Sequence, residues 1–293
     1  MKVGVIGVGE IGSRMAKRLH QSGDEVFVYD IDSAKMKPLA EIGIHAMSSS
    51  AEVARMSDFI ITCVVDPKSV EEAVLGKNGV MEGARAGTVL IETTSSSPFT
   101  TRKIAEKLKE KNVDVIDAPV SRGVPAAENG TLSIMVGGDE EVLQKCLPVL
   151  RKLGTDIFHV GGLGAGHVVK ALNMLLLGAH LIAAAEVVAL GIKQGLDPRN
   201  ILEVINVSSG ENFMTSNHFL KYVLPKTYDS KFTVDLMLKD IRIGTEIARE
   251  LGLPSISFSR VEEIYTMAAA HGLGAEDNTK LVPFIESLMG VDR

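Results

Sequence analysis

The stretch "VGVIGVGEIGSRMAKRL" (residues 3–19) decides the fold. It opens as a short apolar run of strand character, turns through Gly7, Gly9 and Gly12, and continues with helical spacing. Between a strand and a helix this G-x-G-x-x-G spacing has a physical meaning. The first glycine permits a tight turn, the second lets backbone approach a pyrophosphate, and the third lets helix and strand pack closely. The helix N-terminus then faces the anion. A second apolar run, "EVFVYD" (25–30), ends in Asp30, 18 residues after Gly12. An acid there holds the ribose hydroxyls of a dinucleotide. Ile31 follows where a reader of a 2′-phosphate would offer Arg, and Asp30 and Asp32 would repel that phosphate. The expectation is a site for NAD rather than NADP, lined by Gly7, Val8, Gly9, Glu10, Ile11, Gly12 and Asp30.

Working outward, the first 160 residues alternate strand runs with helical patterns. The strand candidates are "KVGVIGV", "EVFVYD", "FIITCVV", "TVLIETT", "DVIDAPV", "LSIMVGG" and "DIFHV". Ser49 and Glu52 have capping-box spacing, Ser97-Pro98 gives an N-cap followed by Pro, and "DEE" (139–141) fits a cap and acidic first turn. Nearly continuous apolar strands alternating with helices predict a mainly parallel sheet covered on both faces, an α/β domain of Rossmann type. After "GGLGAG" (161–166) the pattern is helical throughout, with stops at Gly191 and Gly195 and a new start at Asp197-Pro198. The expected domains are 1–162, binding the dinucleotide, and 163–293, an all-α domain for substrate and self-association.

Composition narrows the function. Charged residues are 23% of the chain, the net charge is −6, aromatics are 4% and Trp is absent. With no basic run, nucleic acid and anionic membrane are excluded as partners. Cys63 and Cys146 form no zinc pattern and suggest no disulfide scaffold, so they read as buried reduced thiols in a cytoplasmic protein. No carboxylates or histidines have metal-ligand spacing, so no metal is expected. "GAGHVVKALNMLLLGAHLIAAAEVVALG" (164–191) approaches the apolar length of a membrane span, but Lys170 and Glu186 would both lie inside it. A buried core helix is expected instead. On its wheel Asn173, Met174 and Leu177 share a face with Lys170, continuing through Leu181, Ala184 and Val188. A bare lysine at such a helix start reads as a snorkelling surface residue.

Four motifs alter that reading. Besides the N-terminal fingerprint they are "DAPVSRGVPAAENGTLSIMVGG" (117–138), "GLGAGHVVKALN" (162–173) and "LMLKDIRIGTEIARELGLP" (236–254). In this order, over nearly the whole chain, they resemble the β-hydroxyacid dehydrogenase family, typified by 3-hydroxyisobutyrate dehydrogenase. The resemblance implies hydride transfer between NAD(P) and a small anionic 3-hydroxy acid or its semialdehyde. It implies that Lys170 is the catalytic acid/base, that Ser121 and Gly123 hold the substrate carboxylate, and that Asn173 contacts substrate. It places Val64 and Val65 along the dinucleotide, Ser95 at the nicotinamide, and Lys239 reaching the cofactor with Asp240 beside it as a candidate proton relay. The chemistry needs such a lysine: oxidising a hydroxyl releases a proton as well as a hydride, and an apolar setting disfavours the charged ammonium.

Two positions depart from the family pattern. Met174 stands where a second Asn is usual, removing a polar anchor. Arg122 stands where the loop usually has Gly, and either pairs with a second substrate anion or points to solvent. Its pairing role would suit a substrate with two anionic ends, or one larger than hydroxyisobutyrate. His167 reads as a helix-start polar residue or a second proton carrier, and Ser209 or Asn212 could line the pocket. Two alternatives stand beside the dehydrogenase: oxidative decarboxylation like that of 6-phosphogluconate dehydrogenase, and a non-catalytic NAD-binding scaffold. The apolar second domain predicts a homodimer or homotetramer.

Overall fold

The computed structural model describes residues 1–291. The chain divides into two compact units, Met1–Lys170 and the residues from Ala171 onward. The first six residues of the long helix Ala165–Lys193 belong to the first unit and the rest to the second.

The first unit is built on one sheet. Its strands are β1 (Lys2–Ile6), β2 (Glu25–Tyr29), β3 (His45–Ala46), β4 (Phe59–Thr62), β5 (Val89–Glu92), β6 (Asp114–Asp117), β7 (Val120–Ser121), β8 (Leu132–Gly137) and β9 (Gly154–Gly161). Their order is β3-β2-β1-β4-β5-β6-β8-β7, with β9 also on β8. All pairings from β3 across to β6 are parallel; β8 runs antiparallel to β6 and β7. Alternate residues serve opposite faces, as the period of two requires. Val26, Val28, Ile61 and Ile91 enter one core with Met15, Leu19, Cys146 and Leu150, while Phe27, Ile60 and Leu90 enter another with Val53, Val70, Ile104 and Leu108. Both faces are therefore dry, which explains why these strands are almost uninterruptedly apolar.

The helices that matter to the site begin at the carboxyl ends of strands. They are α1 (Gly12–Gln21), α2 (Pro98–Lys109), α3 (Glu140–Leu153) and α4 (Ala165–Lys193). Ser97 accepts the Phe99 N–H and Asp139 the Glu141 N–H, both as side-chain caps. At Ser49–Glu52 the box is only half reciprocal: Ser49 Oγ accepts the Glu52 N–H, but the Glu52 carboxylate takes Ser48 instead.

The second unit is helical. Its elements are the remainder of α4, α5 (Pro198–Ile205), a wide-turned segment Met214–Val223, α6 (Val234–Glu250), α7 (Phe258–Ala268) and α8 (Leu281–Leu288). Leu181, Ala185 and Val188 of α4 are fully buried with Phe219, Met237, Ile241 and Tyr265. By length and composition α4 could cross a membrane, yet this face is packed as a core helix. Gly244 brings α6 against α4, since a Cβ there would lie 2.6 Å from Leu175 Cγ. Gly191 does not stop α4; it lies within the helix and makes room for Ile201, and the chain turns at Gly195 with φ +80°.

Candidate active site

The glycine turn after β1 is closely packed at two of its three glycines and open at the third. Gly7 has φ +89°, and a Cβ there would collide with the Cys63 carbonyl beyond β4. A Cβ on Gly12 would collide with the Gly7 carbonyl oxygen. A Cβ on Gly9 would meet nothing within 4 Å, so the chain leaves open space above that residue. Ile11, at the head of α1, has helical backbone and offers no side-chain cap. The Ser13 and Arg14 N–H groups already donate to the Gly9 and Ile11 carbonyls, so it is the dipole of α1, directed at the turn, that favours a phosphate there.

Asp30 joins this turn. Its Oδ2 accepts the Val8 N–H at 2.9 Å and its Oδ1 the Asp32 N–H at 2.9 Å, with Lys35 Nζ 3.8 Å from Oδ1. A carboxylate has about four acceptor sites, so two bonds leave capacity for a ribose. Ile31 is 94% exposed beside it. These residues fit an adenine dinucleotide, which they would hold at the pyrophosphate through the turn and at the ribose through Asp30.

The other first-unit candidates lie along the same carboxyl edge. Val64 and Val65 follow β4; Val64 is half-buried and donates its N–H to Thr94 Oγ1, whereas Val65 is exposed. Ser95 follows β5 and is half-buried. Glu10 is exposed and paired with Arg14. Ser121 ends β7, and Gly123, with φ +70°, opens the helix Gly123–Asn129. Arg122 between them has φ 83° and ψ 3°, a left-handed backbone that suits the glycine usual at this position. Its Nη1 lies 2.5 Å from Asp156 Oδ2 and 3.2 Å from the Thr131 carbonyl. That pairing holds the Asp156 carboxyl below the usual carboxylate range, helped by Thr155. The side chain is half exposed, and its charged partner is a residue of β9.

The head of α4 is tied to this edge. Asp117, the last residue of β6, accepts the Gly164 N–H on Oδ1 at 2.6 Å and the His167 N–H on Oδ2 at 2.8 Å. His167 Nε2 lies 2.5 Å from Oε2 of Glu92, the last residue of β5. All three side chains are buried. Lys170 follows one turn later, half-buried. His167 is therefore more than a polar residue at a helix start. Glu92 and Asp117 drew no functional reading from the sequence, although each is an acid ending a strand that is otherwise apolar at that end.

In the second unit, Asn173 is exposed, with Nδ2 3.8 Å from Met174 Sδ, while Met174 is buried in the helical core. The substitution of Met for the usual Asn is thus absorbed by packing. Lys239 Nζ lies 3.0 Å from Oδ1 of the buried Asp240. Asn212 Oδ1 accepts the Met214 and Thr215 N–H groups, starting the segment after it. Among the described residues no three His, Cys, Asp or Glu side chains converge as a metal site.

Known proteins resemble both units. Residues 2–161 match the family described as the NAD binding domain of 6-phosphogluconate dehydrogenase, and residues 164–285 that described as NAD-binding of NADP-dependent 3-hydroxyisobutyrate dehydrogenase. The 2-(hydroxymethyl)glutarate dehydrogenase of Eubacterium barkeri is 37% identical over 99% of this chain and 97% of its own length. The mitochondrial 3-hydroxyisobutyrate dehydrogenase of Bos taurus is 32% identical over 97% of this chain and 86% of its own. Among solved structures, 3-hydroxyisobutyrate dehydrogenase of Mycobacterium tuberculosis with L-serine superimposes with a TM-score of 0.90 at 26% identity, covering 97% of this chain and 98% of that one. The chain belongs to the β-hydroxyacid dehydrogenase family, NAD(P)-dependent oxidoreductases that act on the hydroxyl group of small hydroxy acids.

Proposed function

We propose that the chain is an NAD-preferring dehydrogenase of a small dicarboxylic hydroxy acid, with Lys170 as its proton acceptor. The observation that carries this reading is the tie between α4 and the sheet. Asp117 fastens the head of the lysine-bearing helix to the same carboxyl edge that carries the glycine turn and Asp30. A bound nicotinamide dinucleotide supplies the hydride acceptor. The Lys170 amine takes the hydroxyl proton as the carbonyl forms, and returns it in the reverse direction. Ser121 and the N–H groups around Gly123 bind the carboxylate near the reacting carbon. The family resemblance adds Asn173 for the substrate and Lys239, paired with Asp240, for the cofactor.

The two-carboxylate substrate is favoured by the 37% identity to 2-(hydroxymethyl)glutarate dehydrogenase and by Arg122 next to Ser121. Arg122 Nη1 is engaged by Asp156, but a guanidinium carries five N–H donors. Assay of 2-(hydroxymethyl)glutarate against 3-hydroxyisobutyrate, with NAD+ or NADP+, tests the reading. Turnover of the diacid with NAD+ is expected, and Lys170→Ala should lose a factor of about 10²–10⁴ in kcat. Parental turnover by Lys170→Ala would sink the assignment. Arg122→Gly should raise KM for the diacid about tenfold, the effect of one charged contact, while leaving the monoacid unchanged. An unchanged KM for every active diacid disposes of the second-anion role.

A further inference from the structure

The carboxyl edge holds three buried groups that proton and hydride transfer do not use. Glu92, Asp117 and His167 are 0%, 0% and 1% exposed. Asp117 grips main chain: its oxygens accept the N–H groups of Gly164, just before α4, and of His167 in its first turn. Glu92 grips a side chain: its Oε2 faces His167 Nε2 at 2.5 Å. Glu92 is itself fixed, since Oε1 accepts the Thr94 N–H at 2.8 Å and Oε2 stands 3.5 Å from Thr101 Oγ1 of α2.

The two grips constrain different motions. Main-chain bonds at the end of a helix fix where that end sits. A contact at the tip of a side chain, well off the axis, fixes rotation about the axis. Lys170 is three residues beyond His167, so the two side chains leave α4 within about 60° of each other. With side chains reaching about 6 Å from the axis, a rotation of about 20° carries a side-chain tip about 2 Å. A misplacement of about 1 Å at a reacting centre can cost about 10²-fold in rate. We propose that Glu92, Asp117 and His167 are positioning residues, setting the height and rotation of α4 so that the Lys170 amine meets the substrate hydroxyl. The inference rests on the reading of Lys170 as proton acceptor.

A buried acid–histidine pair could serve stability alone, and the test separates the two roles. His167→Leu strands a buried carboxylate, so it should melt lower and lose kcat. Glu92→Leu/His167→Leu replaces the pair by apolar groups and should regain melting temperature. Its kcat should nonetheless stay about tenfold or more below parent, with substrate KM and the NAD+ Kd within about threefold. Backbone amides 164–170 should exchange hydrogen faster in it than in the parent. His167→Gln, which keeps a polar tip facing Glu92, should restore kcat to within about threefold of parent. Recovery of parental kcat together with melting temperature in the double variant would overturn the proposal. If that variant does not fold, Glu92→Gln decides: a fall of about fivefold or more in kcat at unchanged KM supports positioning, and parental kcat overturns it. Should Lys170→Ala turn over at the parental rate, amide exchange alone decides. Unchanged exchange at 164–170 in the double or the Glu92→Gln variant then overturns the structural claim.

Discussion

At the residue scale, the glycine turn separates folding from binding. Gly12 has no room for a methyl group, because the Gly7 carbonyl oxygen occupies it, whereas Gly9 has nothing within 4 Å. Gly12→Ala should therefore cost about 1–3 kcal/mol of stability as α1 is pushed off β1, seen as a lower denaturant midpoint. Gly9→Ala should leave that midpoint nearly unchanged and weaken NAD+ about tenfold or more, because its methyl takes the space a pyrophosphate needs. Equal stability losses in the two variants would contradict this division. The signature was legible in the sequence because its geometry is local, spanning six residues from Gly7 to Gly12. The Glu92–His167 contact was not, because it joins residues 75 apart (167 − 92) whose meeting depends on the order of the strands.

At the scale of elements, legibility followed length. The seven strand runs are all strands, but β3 and β7, of two residues each, are too short to show a period. The reversal of β8 was likewise invisible, since strands buried on both faces have the same apolar pattern in either direction. One element carries its own pH dependence. His159 of β9 has Nε2 2.9 Å from the Gly138 carbonyl and Nδ1 2.7 Å from Glu140 Oε2 at the start of α3. Acceptors at both ring nitrogens, the Gly138 carbonyl foremost, raise its pKa above the ordinary histidine value. Because the folded value is the higher one, the stabilisation is complete below the unfolded pKa of about 6.5 and is lost as pH rises through the folded value. The melting temperature of the parent should exceed that of His159→Gln most near about pH 5.5, with the gap closing toward about pH 8.5. The site is largely open to solvent, so the gap will be small. A gap that holds constant across this range would rule the pair out as its source.

At the scale of the whole molecule, the choice of cofactor is an electrostatic question that overall charge biases and local charge decides. The chain carries −6, which disfavours both dinucleotides but the extra phosphate of NADP more. At the end of β2, Asp30 and Asp32 would set two carboxylates beside a bound adenosine ribose, and the neighbouring Ile31 offers no guanidinium. Lys35 is the opposing influence, 3.8 Å from Asp30, yet it is half-exposed and already faces that carboxylate. On the proposed NAD-preferring reading, this balance selects a free ribose hydroxyl over a 2′-phosphate. A ligand that binds only the folded chain stabilises it by about 2.7 kcal/mol when present at 100 times its Kd. At one fixed concentration, NAD+ should therefore raise the melting temperature by several degrees and NADP+ by much less. Because the repelling charges lie near the surface, the difference should narrow at about 1 M salt, where the screening length falls to about 3 Å. Equal shifts from the two cofactors at low salt would remove Asp30 and Asp32 as the selecting groups and give Lys35 the decisive role.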